Sequence, residues 1–210
     1  MKKSARAIEF VVLYFGIPTV LALFAKGRVL APVLWSMMAV CLFDLLRDSS
    51  FDRRRLWNAR NLAVHLRPVM IRFAVFSLVL VGLVGVAGRH LLFSLIIHRP
   101  AVWLLVMVLY PVLSVYPQGV IYRAFLFHRY RDLLPPGRPS ILVSAVVFSY
   151  VHIIFYNWIA VAMTLVGGLL FAHTYWKTRS LLVSAIEHAL YGCLLYTIGL
   201  GRFFYHGAVH

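Results

Sequence analysis

The chain has 210 residues, is 62% hydrophobic, and sets only six Asp and Glu against 21 Lys and Arg, for a formal net charge of +15. Charged residues make up about a quarter of an ordinary soluble domain but 13% of this chain. With apolar runs of membrane-spanning length recurring from end to end, this excludes a soluble domain and predicts an all-α, polytopic membrane helix bundle.

Seven spans are predicted. The first, Ala7–Ala25, follows Lys2, Lys3 and Arg6. No small-residue cleavage site follows it, and a second span, Val29–Leu46, begins after only Lys26-Gly27-Arg28, so it reads as a retained helix rather than a signal peptide. The loop RDSSFDRRRLWNARNLAVHLRP comes next, expected to lie against anionic lipid headgroups with Trp57 at the interface. The third span, Ile71–Ala87, carries Gly82 and Gly85, with Gly88 just beyond, a spacing that suits close helix contact. The fourth, Ala101–Tyr116, runs into the polar extension YPQGVIYRAF and then HRYRDLLPPGRP, whose Arg and His are expected at lipid headgroups. Ser140–Tyr156, Trp158–Tyr175 (with Gly167-Gly168 for close packing) and Ser180–Leu200 complete the set.

With Arg72 counted to the basic loop it follows, 16 of the 21 Lys and Arg fall on one side of this topology. The positive-inside rule then puts the N-terminus in the cytoplasm, as in a multi-pass protein of a bacterial-type inner membrane. The charge does not indicate nucleic acid, because no separate soluble domain, zinc spacing or aromatic platform accompanies it. Cys41 and Cys193 lie inside spans and form no CxxC pair, so no disulfide framework is expected. The chain reads as one structural domain, with residues 1–100 supplying N-terminal helices and the basic loop, and residues 101–210 the core that carries the polar motifs.

Ionisable side chains within spans are functional candidates, since each is costly in hydrocarbon unless it is paired or wet. Glu9, Asp44 and His173 lie near span ends and are expected to be interfacial and structural. Gln118, Arg123, His152, Glu187 and His188 come from three helices of the C-terminal half and are expected to share a polar cavity. On an unbroken α-helix Gln118 and Arg123 are about 140° apart. Pro117 can open the ladder before it, leaving carbonyls for Arg123 to satisfy unless it pairs with a carboxylate from another helix. Phe148 and His152 share a face, as do His188 and Gly192, whereas Glu187 points about 100° away from His188.

The ordered set Gln118-Gly119-x-x-x-Arg123, Phe148-x-x-x-His152 and His188-x-x-x-Gly192 resembles the three motifs of the CPBP family, the CAAX-protease and bacteriocin-processing intramembrane endopeptidases. The family pattern is Glu-Glu-x-x-x-Arg, Phe-x-x-x-His, and His followed four residues later by Asn or Asp. The resemblance covers roughly Trp103 to Tyr205. It implies an intramembrane endopeptidase acting on a membrane-associated or transmembrane protein or peptide, with lipid around it and no required cofactor. By position, His152 would help activate water, His188 would stabilise the oxyanion, and Arg123 would organise the site.

Three positions depart from the pattern: Gln118 and Gly119 replace both glutamates, and Gly192 replaces the Asn or Asp. A glutamine accepts no proton near neutral pH, and general-base help is worth about 10²–10⁴ in rate. Three readings follow. The base has moved to Glu187, to Asp44, or to His152 alone; or the fold persists as a pseudoenzyme, a binding or chaperone scaffold; or the polar residues line a path for an ion or small solute. His152, His188 and Glu187 would also make a His₂Glu set adequate for zinc, although no HExxH spacing accompanies it. The cavity is expected to open toward the cytoplasmic half, where Arg123 and His188 lie. His152, about 18 Å into its span, then requires either a shorter or tilted span or a deep cavity.

Overall fold

The computed structural model describes residues 3–24, 29–60 and 62–204. Ala25, the Lys26-Gly27-Arg28 connection, Lys2 and Tyr205 lie outside the described residues. Six helices are long and apolar enough to cross a membrane: α1 (Lys3–Phe24), α2 (Leu30–Arg47), α3 (Leu62–Ala87), α4 (Pro100–Arg129), α5 (Arg138–Phe155) and α6 (Trp158–Thr178). A shorter apolar helix, α7 (Leu181–Thr197), follows, and no strand occurs among the described residues. The protein is an all-α, multi-pass integral membrane bundle.

The ends of the C-terminal helices follow local chemistry. Pro100 and Pro139 occupy first-turn positions of α4 and α5, where a missing N–H is harmless. Asn157 caps α6 by accepting from Ala160 N at 2.8 Å, and Ser180 caps α7 by accepting from Val183 N at 3.3 Å. Tyr156 and Arg179 adopt left-handed φ values of 56° and 51°, which turns the chain sharply between neighbouring helices. α5 and α6 pack most intimately, because a Cβ on Gly168 would come within 2.9 Å of the Ala145 backbone.

Helix α4 does not end at Tyr116 as the apolar run predicts, but continues 30 residues from Pro100 to Arg129. Two π turns, Pro111–Val115 and Val120–Phe125, flank YPQG, and the Leu113 carbonyl four residues before Pro117 accepts from Trp35 Nε1 at 3.1 Å. The widened second turn leaves carbonyls that α1 and α5 satisfy: Tyr14 donates to Ile121 O at 2.9 Å and Ser144 to Tyr122 O at 2.7 Å. Arg123, expected to do so, does not. Residues 120 to 126 are all buried, wrapped by Tyr14, Leu45, Phe148 and Tyr175 among others. This stretch is the centre of the bundle.

The charged end of α4 and the loop after it pair within the chain. Arg129 holds Glu9 with two bonds, at 3.0 and 2.9 Å, and approaches Asp44 at 3.3 Å. His128 meets Asp48 at 2.8 Å, and Arg6 meets Asp132 at 2.5 Å. These side chains, expected at lipid headgroups, instead fasten α1 and α2 to the end of α4. Just beyond α2, the hydrogen bonds from Ser50 and then from His128 hold the Asp48 carboxyl well below the usual range. The basic loop is pinned too: Trp57 stacks on Tyr116 at 4.5 Å, and Asn58 O accepts from Ser180 Oγ at 2.7 Å. The glycines of α3 are not a packing seam. Nothing lies within 4 Å of a Cβ built on Gly82, while Gly85 meets Leu92 and Gly88, just past the helix, meets its near neighbours Leu91 and His90.

Candidate functional site

The three motifs converge on one cavity of about 310 Å³, lined among others by Gln118, His152, His188, Tyr110, Phe148 and Phe171. Its length follows from the helices. Gln118 lies two residues beyond the Tyr116 on which the basic loop rests, whereas His152 sits in the 3₁₀ turn Val151–Phe155 that ends α5 at the opposite side. Phe155 and Phe204 close that far end. The cavity wall thus includes the closing turn of α5 as well as the middle of α4.

The His152 side chain is fixed by its own helix. Nδ1 lies 2.7 Å from Phe148 O, and a carbonyl only accepts, so Nδ1 carries the proton. In the neutral ring Nε2 is then left with its lone pair. Phe148 packs against it at 4.9 Å, and Phe155 and Phe204 stand at 5.7 and 6.0 Å. His188 lies flat on Phe171, with centroids 4.5 Å apart and planes 20° apart, while Phe148 meets it edge-on at 5.4 Å. Its Nε2 is 3.3 Å from Tyr110 Oη and its Nδ1 has no partner. Gln118 donates from Nε2 to Ser114 Oγ at 2.7 Å, one turn back along α4, and its buried Oε1 has no partner.

Arg123 is not brought to the cavity. Its guanidinium is fully buried behind the lining, 4.3 Å from the Phe148 ring centre and 5.3 Å from that of Phe171, with Nε and Nη2 unpartnered. There it supports by cation–π contact the two rings that hold the histidines. Glu187 also faces away, as its place one step from His188 requires. It is wholly buried and accepts from Arg72 at 2.8 Å, the same Arg72 Nη2 donating to Thr174 Oγ1 at 2.9 Å. Asp44 is committed to Arg129. Neither carboxylate reaches the cavity, so the moved-base reading loses Glu187 and Asp44. The His₂Glu set is not assembled for the same reason. Among the described residues no three His, Cys, Asp or Glu side chains come together in a metal-sized group.

The departures from the motif pattern are filled by neighbours. A Cβ on Gly192 would fall inside contact distance of the Tyr110 ring, so the missing side chain is the space Tyr110 occupies. Likewise a Cβ on Gly119 would come 2.8 Å from Leu181 Cδ1, and Leu181 is completely buried. Tyr110, Ser114 and Arg72 escaped the sequence reading. Tyr110 and Ser114 sit in a run that reads as plain span. Arg72 was counted with the basic loop, although its place inside the third span marked it as costly.

What this arrangement offers chemically is two oriented imidazoles, a phenol and an amide in an aromatic-lined pocket, with no carboxylate among the lining residues. A search of the curated proteins and a search of the solved structures each found no match to the chain. Residues 99–194, the segment holding all three motifs, match the family model described as type II CAAX prenyl endopeptidase Rce1-like. This segment, which carries α4 to α6 and most of α7, is thus similar to the CPBP family of CAAX-type endopeptidases.

Proposed function

We propose that the protein is a non-hydrolytic member of this family, a membrane scaffold that holds an apolar segment of a lipidated or transmembrane protein in the cavity without cutting it. One observation carries the reading: the position that would supply the general base is Gln118, bonded to Ser114, and no carboxylate lines the cavity among the described residues. The remaining wall is mostly aromatic and aliphatic, which suits capture of a chain from the bilayer. The charge asymmetry supports a cytoplasmic N-terminus and a bacterial-type inner membrane.

A second reading has its own support. The locked His152 tautomer leaves Nε2 as an acceptor beside Gln118's cavity, the arrangement an endopeptidase using His152 as sole base requires.

The two separate by comparing membrane-protein termini in cells that lack the protein and are complemented with wild type, His152→Ala or His188→Ala. A photo-crosslinker placed at Met163 serves as the binding readout. The scaffold reading expects no terminus to depend on the protein, and a crosslinked membrane peptide that is lost when Thr164→Trp fills the cavity. A terminus that appears with wild type and vanishes in both histidine variants overturns it in favour of the endopeptidase.

A further inference from the structure

Helix α3 is attached differently from the others. Of its 26 residues only Val69 and Val84 are buried, and its main packing partner is α7. It nevertheless forms one wall of the cavity through Phe76, Val79 and Leu80. The facing wall is α6, through Val166 and Leu170, with α7 as the floor between them. α3 and α6 thus flank the cavity rather than pack along one another. The rim residues on the two sides, Val79 and Val166, are 53% and 49% exposed. In a membrane helix that exposure is to hydrocarbon, so the cavity has a mouth on the bilayer.

One polar tie crosses this mouth. Arg72 lies one helical turn from Phe76, and Thr174 lies one turn beyond Leu170, both toward the basic loop. Arg72 Nη2 donates at 2.9 Å to Thr174 Oγ1 on α6 and at 2.8 Å to Glu187 Oε1 on α7. Such a pair in hydrocarbon is held firmly, because an unpaired partner is left uncompensated. Four residues before Arg72, Pro68 interrupts α3 and deletes an intrahelical bond, which makes that point a natural bend.

We propose that α3 is the movable wall of a lateral entrance from the bilayer, bending at Pro68 and latched by Arg72 across the mouth to Thr174 and Glu187. The inference rests on the cavity being a binding site but not on whether hydrolysis occurs. Arg72 and Glu187 are outside the cavity lining, and neither belongs to the three-motif set on the reading above.

The test uses the full-length protein in native membranes with Cys41→Ala and Cys193→Ala, and a reporter Met163→Cys on the α6 wall. Its alkylation is followed with two maleimides, small N-ethylmaleimide and bulky N-pyrenylmaleimide. Arg72→Gln is expected to raise the bulky-reagent rate by about tenfold or more, the change that follows from losing one charged hydrogen bond. The small-reagent rate is expected to move much less. Thr174→Val cuts only the tie across the mouth and keeps the Arg72–Glu187 pair, so it guards against simple misfolding and is expected to shift the ratio in the same direction. Unchanged ratios in both variants, with thermal unfolding intact, would overturn the latch. A shifted ratio without any crosslinked segment at Met163 would leave the latch standing and remove the binding reading.

Discussion

The space at Gly192 makes a quantitative test of how the site has been rebuilt. Replacing Gly192 with Asn restores the side chain that the family pattern places four residues after His188. Asn is a slightly better helix former than Gly, a gain of a few tenths of a kcal/mol within α7. Against this, its Cβ enters the Tyr110 ring, and overpacking a filled interior costs about 1–3 kcal/mol. The clash wins, and Gly192→Asn is expected to be destabilised by about 1–3 kcal/mol. Tyr110→Ala alone removes a half-buried ring that lines the cavity and the bond to His188, with a cost toward the lower end of the large-aromatic range of about 3–5 kcal/mol. If the two residues compete for one volume, the double variant recovers part of both losses. The expected coupling is about 1–3 kcal/mol, as for residues in direct contact. Thermal unfolding of wild type, both single variants and the double variant in one detergent measures it. Additivity within about 0.5 kcal/mol would refute the shared-volume argument.

Three further outcomes follow from the packing around α4 and α5. Gly168→Ala is expected to lower the unfolding temperature, because the ~1 kcal/mol of helix propensity gained is smaller than the ~1–3 kcal/mol of pushing α6 off the Ala145 backbone. Tyr14→Phe removes the donor to Ile121 O in the second π turn and is expected to cost about 1 kcal/mol in the same assay, with little change in shape. The Asp48 carboxyl is held below its ordinary value of 3.8, so its contribution is complete above that pH and is lost as pH falls below it. Acid titration of unfolding should therefore be shallower in Asp48→Asn than in wild type below pH 3.8, with no difference in slope at neutral pH.

The fold was legible where hydrophobicity has one reading. Long apolar runs bounded by charge placed five of the spans to within a few residues, but α3 starts at Leu62, nine residues before the drawn Ile71, because LAVHLRP with its His, Arg and Pro reads as loop. The last, drawn as Ser180–Leu200, is α7 at Leu181–Thr197. The other exception was α4, which continues through Pro117, just past the drawn end at Tyr116. A proline inside a helix is tolerated when a side chain takes up the carbonyl it frees, and Trp35, which donates to Leu113 O, is too remote in sequence to announce that role. The convergence of Gln118, His152 and His188 was legible from their helical positions. What was not legible was direction relative to the core: Arg123 and Glu187 looked like members of the cavity, yet one turns behind two phenylalanine rings and the other toward Arg72. The network at Arg129 was hidden for the same reason, since a charge beside a span end can face headgroups or a partner helix.

The departures at Gln118, Gly119 and Gly192 are not three isolated losses. Ser114 engages the amide at Gln118, Leu181 fills the space beside Gly119, and Tyr110 fills the space beside Gly192. On the scaffold reading, a site repacked in this way is not expected to gain hydrolysis by one substitution. A restored base at Gln118→Glu addresses a factor of about 10²–10⁴. The oxyanion donor that Gly192 lacks is worth a further factor of about 10²–10³ and stays blocked while Tyr110 holds its volume. Gln118→Glu alone is therefore expected to produce no new membrane-protein terminus. The combination Gln118→Glu, Gly192→Asn and Tyr110→Ala, which supplies both groups and the room for them, is the smallest set expected to do so. Cleavage by the single variant, abolished again by His152→Ala, would mean that Tyr110 already serves as the missing donor. The site would then be one carboxylate short of a working endopeptidase rather than rebuilt for another task.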